Sequence, residues 1–141
     1  MSPLKSAALA AALALMPMIS DAAFMADEDV TPLEITPDTP EGALLTDKEG
    51  FFLYVFNGDE PGKPTCNGAC AQLWVPALAG SYDGRLSHKI KIITREDGKK
   101  QWTYDDRPLY RYAKDAKAGD LAGAKTGDRA WKPAVIPGHD M

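Results

Sequence analysis

The chain has 141 residues and a net charge of −4 at pH 7, with its basic residues scattered rather than clustered. That balance offers no electrostatic footprint for nucleic acid or an anionic membrane surface, so neither is expected as a partner. Eleven prolines, twelve glycines and only two cysteines describe a turn-rich, mostly extended chain of one domain, with little room for long helices.

Lys5 gives a short positive start, Ala7 to Ile19 is an almost unbroken apolar run, and Ser20, Asp21 and Ala22 place small residues where a signal peptidase reads. Residues 1–22 are therefore expected to be a signal peptide cleaved after Ala22, directing the protein to the periplasm or the exterior. The run is shorter than the roughly 20 apolar residues of a membrane helix, and no later segment approaches that length. Stable membrane insertion is not expected. An uncleaved anchor is the competing reading, against which Pro17 inside the run counts. No cysteine lies near the cleavage site, so no lipid anchor is expected.

Residues 23–41 are acidic and proline-bearing, with Asp27, Glu28, Asp29, Pro32, Pro37 and Pro40. Such a stretch has little to bury and reads as a flexible leader. Val30, Leu33 and Ile35 nevertheless alternate well enough to add an edge strand. A single β domain is expected over 42–136, built of repeats 42–79 and 99–136 joined by an insertion with one strand, and followed by a tail at 137–141.

In the first repeat, Ala43 to Thr46 runs into the polar turn Asp47 to Gly50 and then Phe51 to Phe56, which reads as a β-hairpin stopped by Asn57, Gly58 and Asp59. Cys70 to Trp74 reads as one helical turn. Ser81 to Ser87 is turn-like, and His88 to Thr94 is a strand by alternation and β-branching, closed by Glu96, Asp97 and Gly98. The second repeat restates the hairpin as Lys99 to Tyr104, a turn from Asp105 to Pro108, and Leu109 to Tyr112.

The repetition extends to single residues. Leu53, Tyr54, Phe56 and Asp59 return as Leu109, Tyr110, Tyr112 and Asp115, and Trp74, Pro76 and Ala77 as Trp131, Pro133 and Ala134. The copies lie about 57 residues apart, as expected of a duplicated supersecondary unit that keeps the positions its packing needs. Tyr54 and Phe56, like Tyr110 and Tyr112, share one face of a strand, while Leu53, Val55, Leu109 and Arg111 face the other way. Burying such rings contributes about 1.5–3 kcal/mol each before entropy is counted. The predicted fold is mainly β: a small antiparallel domain with internal pseudo-twofold duplication, sandwich-like or barrel-like.

These residues resemble the family of secreted repeats and bacterial lipoproteins marked by a Tyr-x-[Phe/Trp/Tyr]-x-x-Asp motif, here Tyr54 to Asp59 and Tyr110 to Asp115. Glu60 to Cys70, Trp74 and Gln101 to Tyr110 resemble it too, so the likeness covers roughly Gly42 to Ala134. The chain departs from many members in lacking a lipid-attachment cysteine. The resemblance implies export and a repeat fold; the family is of unknown function, so no catalytic residue is carried over.

Cys66 and Cys70, present in one copy only, read as a local disulfide in an oxidising compartment. A redox dithiol would want two intervening residues before a helix, and haem attachment a following His. A metal would need more ligands than His88, His139, Met25 and Met141 supply, none adjacent to the pair. Asp59 and Asp115, at equivalent strand ends, read as turn-capping residues. Asp105, Asp106, Asp115, Asp120 and Asp128 are oxygen donors without EF-hand spacing. No nucleophile elbow is present, and the glycines at 119, 123 and 127 do not form a phosphate loop. Tyr54, Phe56, Trp74, Trp102, Tyr104, Tyr110, Tyr112 and Trp131 read first as core, and alternatively as a ligand surface with Arg107 or Arg111 stacked on a ring.

With no complete catalytic set, the chain reads as a non-enzymatic binding or structural module with no cofactor or metal, its partner an envelope protein or a small ligand. The alternative is an envelope redox or metal-handling protein centred on Cys66 and Cys70.

Overall fold

A computed structural model describes residues 33–83 and 86–137; the expected signal peptide, the leader up to Pro32, and His139 lie outside them. In chain order the elements are β1 (Glu34–Thr39), β2 (Gly42–Thr46), β3 (Tyr54–Phe56), α1 (Ala69–Leu73), β4 (Trp74–Pro76), β5 (Ile90–Thr94), β6 (Lys100–Tyr104), β7 (Arg107–Pro108), β8 (Tyr110–Tyr112), a 3-10 turn (Ala122–Lys125) and β9 (Trp131–Pro133). They form three antiparallel sheets, ordered β1-β2, β5-β6-β7 and β4-β8-β3-β9. None closes into a barrel, so the barrel-like option is set aside.

Both hairpins form. In the first, Asp47 turns the chain by accepting from the N–H groups of Glu49 and Phe51 (both 3.0 Å), and Thr46 bridges Phe52. In the second, Asp105 and Asp106 both adopt positive φ (51° and 65°), as a two-residue type I′ turn requires. Each returning strand then leaves its hairpin and enters the central sheet.

Two boundaries differ from expectation. β1 occupies the end of the stretch read as leader and pairs with β2, Ile35 opposite Leu45. β5 pairs with β6, Ile92 opposite Trp102, in the same relation. The strand expected within an insertion is thus the first strand of the second unit, and β1 is its counterpart. Alternation was visible in both segments. The prolines around β1 masked it: as an edge strand, β1 tolerates residues that cannot donate to the ladder.

The central sheet is where the units intertwine. β3 and β8 are equivalent, as are β4 and β9, and the order β4-β8-β3-β9 is unchanged by exchanging them. Tyr54 pairs with Tyr110 at the centre. The last strand of each unit adds to the other: β4 lies on β8, with Trp74 opposite Tyr112, and β9 lies on β3, with Trp131 opposite Phe56. Backbone bonds repeat the relation, Ala77 N–H to Leu109 O (2.9 Å) matching Ala134 N–H to Leu53 O (2.9 Å). At the free edges Pro76 and Pro133 have no N–H to offer a further strand.

One face of the central sheet carries Tyr54, Tyr110, Tyr112, Trp74 and Trp131 with Leu44, Phe52 and Cys66. The opposite side of the strands carries Leu53, Val55 and Leu109, packed with Leu45, Trp102, Ala77 and Ala134. Period-two alternation in the motif therefore divides two apolar clusters, which is why one short strand needs both its Leu and its Tyr buried.

Candidate ligand cleft beside the disulfide loop

The repeated motif builds a symmetric core. Phe56, Trp131, Trp74 and Tyr112 form a run of packed rings, with successive centroid distances of 4.6, 4.1 and 4.4 Å and the two indoles within 3° of parallel. Tyr54 and Tyr110 meet Trp74 and Trp131 edge-on at 5.3 and 5.0 Å. Trp102 is apart from this set, packed against Tyr82 in the other cluster. Tyr104 is half-buried. Arg111 stacks on Phe51, a ring outside that set, at 3.9 Å, and pairs with Asp47 at 3.4 Å.

Each motif tyrosine donates to the aspartate of the other copy: Tyr54 Oη to Asp115 Oδ2 at 2.7 Å, and Tyr110 Oη to Asp59 Oδ2 at 2.8 Å. The remaining carboxylate oxygen orders the local loop. Asp59 Oδ1 accepts from Thr65 N–H (2.8 Å) and Thr65 Oγ1 (2.7 Å); Asp115 Oδ1 accepts from the N–H groups of Ala122 (2.7 Å) and Gly123 (3.3 Å). The aspartates thus organise their loops as a turn residue would, and also tie the two units together. Burial, reinforced by the aspartate partner, holds both phenols protonated well above the ordinary tyrosine range. A Cβ on Gly123 would lie 2.7 Å from the Tyr54 ring, so the second copy needs glycine there.

In the first copy that place belongs to Cys66, and here the symmetry ends. Cys66 and Cys70 form a disulfide (S–S 2.04 Å) that closes the loop leading into α1 and β4. Beneath the loop lies Arg95, only 6% exposed, at the end of β5. It donates from Nη1 to Gln101 Oε1 (2.6 Å), and from Nη2 to Cys66 O (3.1 Å) and Asn67 Oδ1 (2.5 Å). Gln101, fully buried, passes the chain on to Leu109 O at 2.6 Å. Its counterpart in the first copy is the apolar Leu44, because Leu45 lies opposite Ile35 as Trp102 lies opposite Ile92.

Against this network opens a cleft of about 510 Å³, walled by Asn67, Gly68 and Ala71 on the loop side, by Val75, Pro76 and Leu78, and by Arg95, Glu96, Asp97 and Lys99 on the hairpin side. Two smaller grooves follow the pseudo-twofold instead. Lys132 to Val135 with Val55 line one of about 250 Å³, and Val75 to Leu78 with Arg111 line the other, of about 230 Å³.

Sequence reasoning singled out the cysteine loop but missed Arg95 and Gln101. Arg95 stands in a run of charges that reads as a solvated turn. The available signal was the polar Gln101 at a position that is Leu44 in the other copy. Among the described residues no group of three or more His, Cys, Asp or Glu is arranged to hold a metal, and no helix is long and apolar enough to cross a membrane.

A family model for secreted repeats of unknown function matches residues 36–78 and 91–135. The chain belongs to that family. The matched ranges begin within β1 and β5, in agreement with units that each open on that strand. No curated protein and no solved structure matches the chain. Membership in this family of secreted repeats and the disulfide both suit an extracytoplasmic, oxidising location.

Proposed function

We propose that the protein is an exported, non-enzymatic binding module whose intertwined aromatic core is a scaffold and whose ligand enters the cleft beside the Cys66–Cys70 loop. Export proceeds by cleavage after Ala22, without lipid attachment. The observation that carries the reading is the placement of the largest of these clefts where the two copies differ: the disulfide, Arg95 and Gln101 gather at one end, and the smaller grooves repeat. The tyrosines and aspartates of the motif are engaged with each other, which leaves them a packing role. The redox or metal-handling alternative is not favoured, because the two cysteines are joined and Cys66 is buried in the aromatic cluster.

Native mass spectrometry of protein recovered from exporting cells tests this reading. The expected species is residues 23–141 less two hydrogens, carrying a small noncovalent adduct that is lost when Leu78→Asp is introduced at the cleft wall. Stoichiometric metal, or turnover of an envelope substrate that disappears with both cysteines replaced, would overturn it.

A further inference from the structure

Arg95 is a buried cation whose neutralisation is incomplete. Its three hydrogen bonds all go to neutral acceptors, and its buried Nε has no partner. Among the described residues the nearest carboxylate oxygen is Asp97 Oδ2, at 3.9 Å, on a side chain that is half exposed. That distance is beyond hydrogen bonding. The other oxygen of Asp97 accepts the Lys99 N–H at 2.9 Å, which fixes the carboxylate in the hairpin turn and away from Nε. A buried guanidinium of this kind is stabilised by an anion with an oxygen that accepts from the free Nε–H, which a carboxylate supplies through one oxygen.

The rest of the cleft describes what such an anion is attached to. Val75 and Leu78 are 38% and 47% exposed and, with Pro76, form an apolar wall opposite the charged turn. On the same side, exposed Lys99 adds a second cation to Arg95, beside the exposed carboxylates of Glu96 and Asp97. Cation and apolar wall lie in one cleft of about 510 Å³, the size of a small organic ligand site.

Resting on the reading of this cleft as the binding site, we propose that it takes a carboxylate with an apolar body. The carboxylate takes the Arg95 Nε–H that Asp97 leaves unsatisfied, and the body lies along Val75, Pro76 and Leu78. The same chemistry is offered by a free aliphatic acid and by the C-terminus of an apolar peptide.

The test uses the full mature protein, with its disulfide intact, observed by NMR at the Arg95 Nε–H and the Asn67 side-chain amide. Probes are hexanoate, hexanamide and hexylammonium, with N-acetyl-valyl-leucine and its C-terminal amide as the peptide arm. Hexanoate or the peptide acid is expected to shift both signals, and the member that binds tighter identifies the source; the amides and the ammonium are not. Asp97→Asn keeps an acceptor for the Lys99 N–H and removes the competing charge, so it should tighten the acid probe severalfold, while Lys99→Gln should weaken it about two- to threefold. Both variants keep the three side-chain hydrogen bonds of Arg95, and denaturation midpoints of each variant separate a loss of fold from a change in binding. Saturable binding of hexylammonium, or weaker acid binding in Asp97→Asn, overturns the carboxylate assignment and leaves the binding module standing. If no probe of any charge perturbs these signals at millimolar concentration, both readings fall.

Discussion

At one end of the pseudo-twofold, Tyr54 reaches Asp115, and the loop behind it is a short 3-10 turn held by two backbone N–H groups on Asp115, with Gly123 packed against the tyrosine ring. At the other end, Tyr110 reaches Asp59, the glycine position is Cys66, and the loop is closed by a disulfide and fastened from beneath by Arg95. The inner half of each end is set by duplication and the outer half is free to diverge. What a repeat conserves between its copies is thus what the units need in order to hold each other. On the proposed reading, ligand specificity is to be sought in the part that differs.

The largest expected effect tests the shared half. Trp131→Ala removes a ring stacked on both Phe56 and Trp74 and should cost about 3–5 kcal/mol in chemical denaturation; Trp74→Ala should cost a similar amount, because the two positions are equivalent. A large inequality between them would mean that the symmetry in geometry is not one in energy.

Alkaline pH presses on both ends together. The folded protein holds the Tyr54 and Tyr110 protons more tightly than the unfolded chain does, so stability is fully present below about pH 10 and falls as pH rises beyond it. The slope should approach about 1.4 kcal/mol per pH unit for each tyrosine, read from denaturation midpoints across pH 9–12. With Tyr54→Phe the slope should halve.

The two ends should separate in the hydroxyl deletions. Tyr54→Phe strips a hydrogen bond from Asp115, which is 6% exposed, and should cost about 1–3 kcal/mol. Tyr110→Phe should cost less, because Asp59 is half-buried and water can replace the lost donor. Equal losses would show that the burial difference carries no weight.

Smallest is the covalent difference. A bridge closing so short a loop removes little denatured-state entropy, so replacing Cys66 and Cys70 by Ala should cost about 2 kcal/mol or less. Hydrogen exchange should accelerate in the Cys66–Leu73 segment and stay unchanged in the Ala122–Lys125 turn. Spread of the effect to both ends would make the disulfide a support of the whole core.

The sequence disclosed local structure well and reciprocity poorly. Phe51 to Phe56, Ile90 to Thr94 and Lys99 to Tyr112 carry alternation and turn residues whose consequences stay within a few positions, and the structure forms those strands. The bond from Tyr54 to Asp115 was hidden for the opposite reason. Tyr54 and Asp59 sit in one motif, which suggests that they act together, yet strand exchange in the central sheet delivers each to the other copy. Arg95 was hidden because a charged residue beside Glu96 and Asp97 looks solvated. Only the loop folded over it, far away in sequence, makes it a buried cation.

The central claim, that the motif works across copies and not within one, is tested most directly by double-mutant cycles on stability. Tyr54→Phe with Asp115→Asn, and Tyr110→Phe with Asp59→Asn, should each show a coupling of about 1 kcal/mol or more. Tyr54→Phe with Asp59→Asn should be additive. Coupling within a copy and additivity between copies would contradict the account.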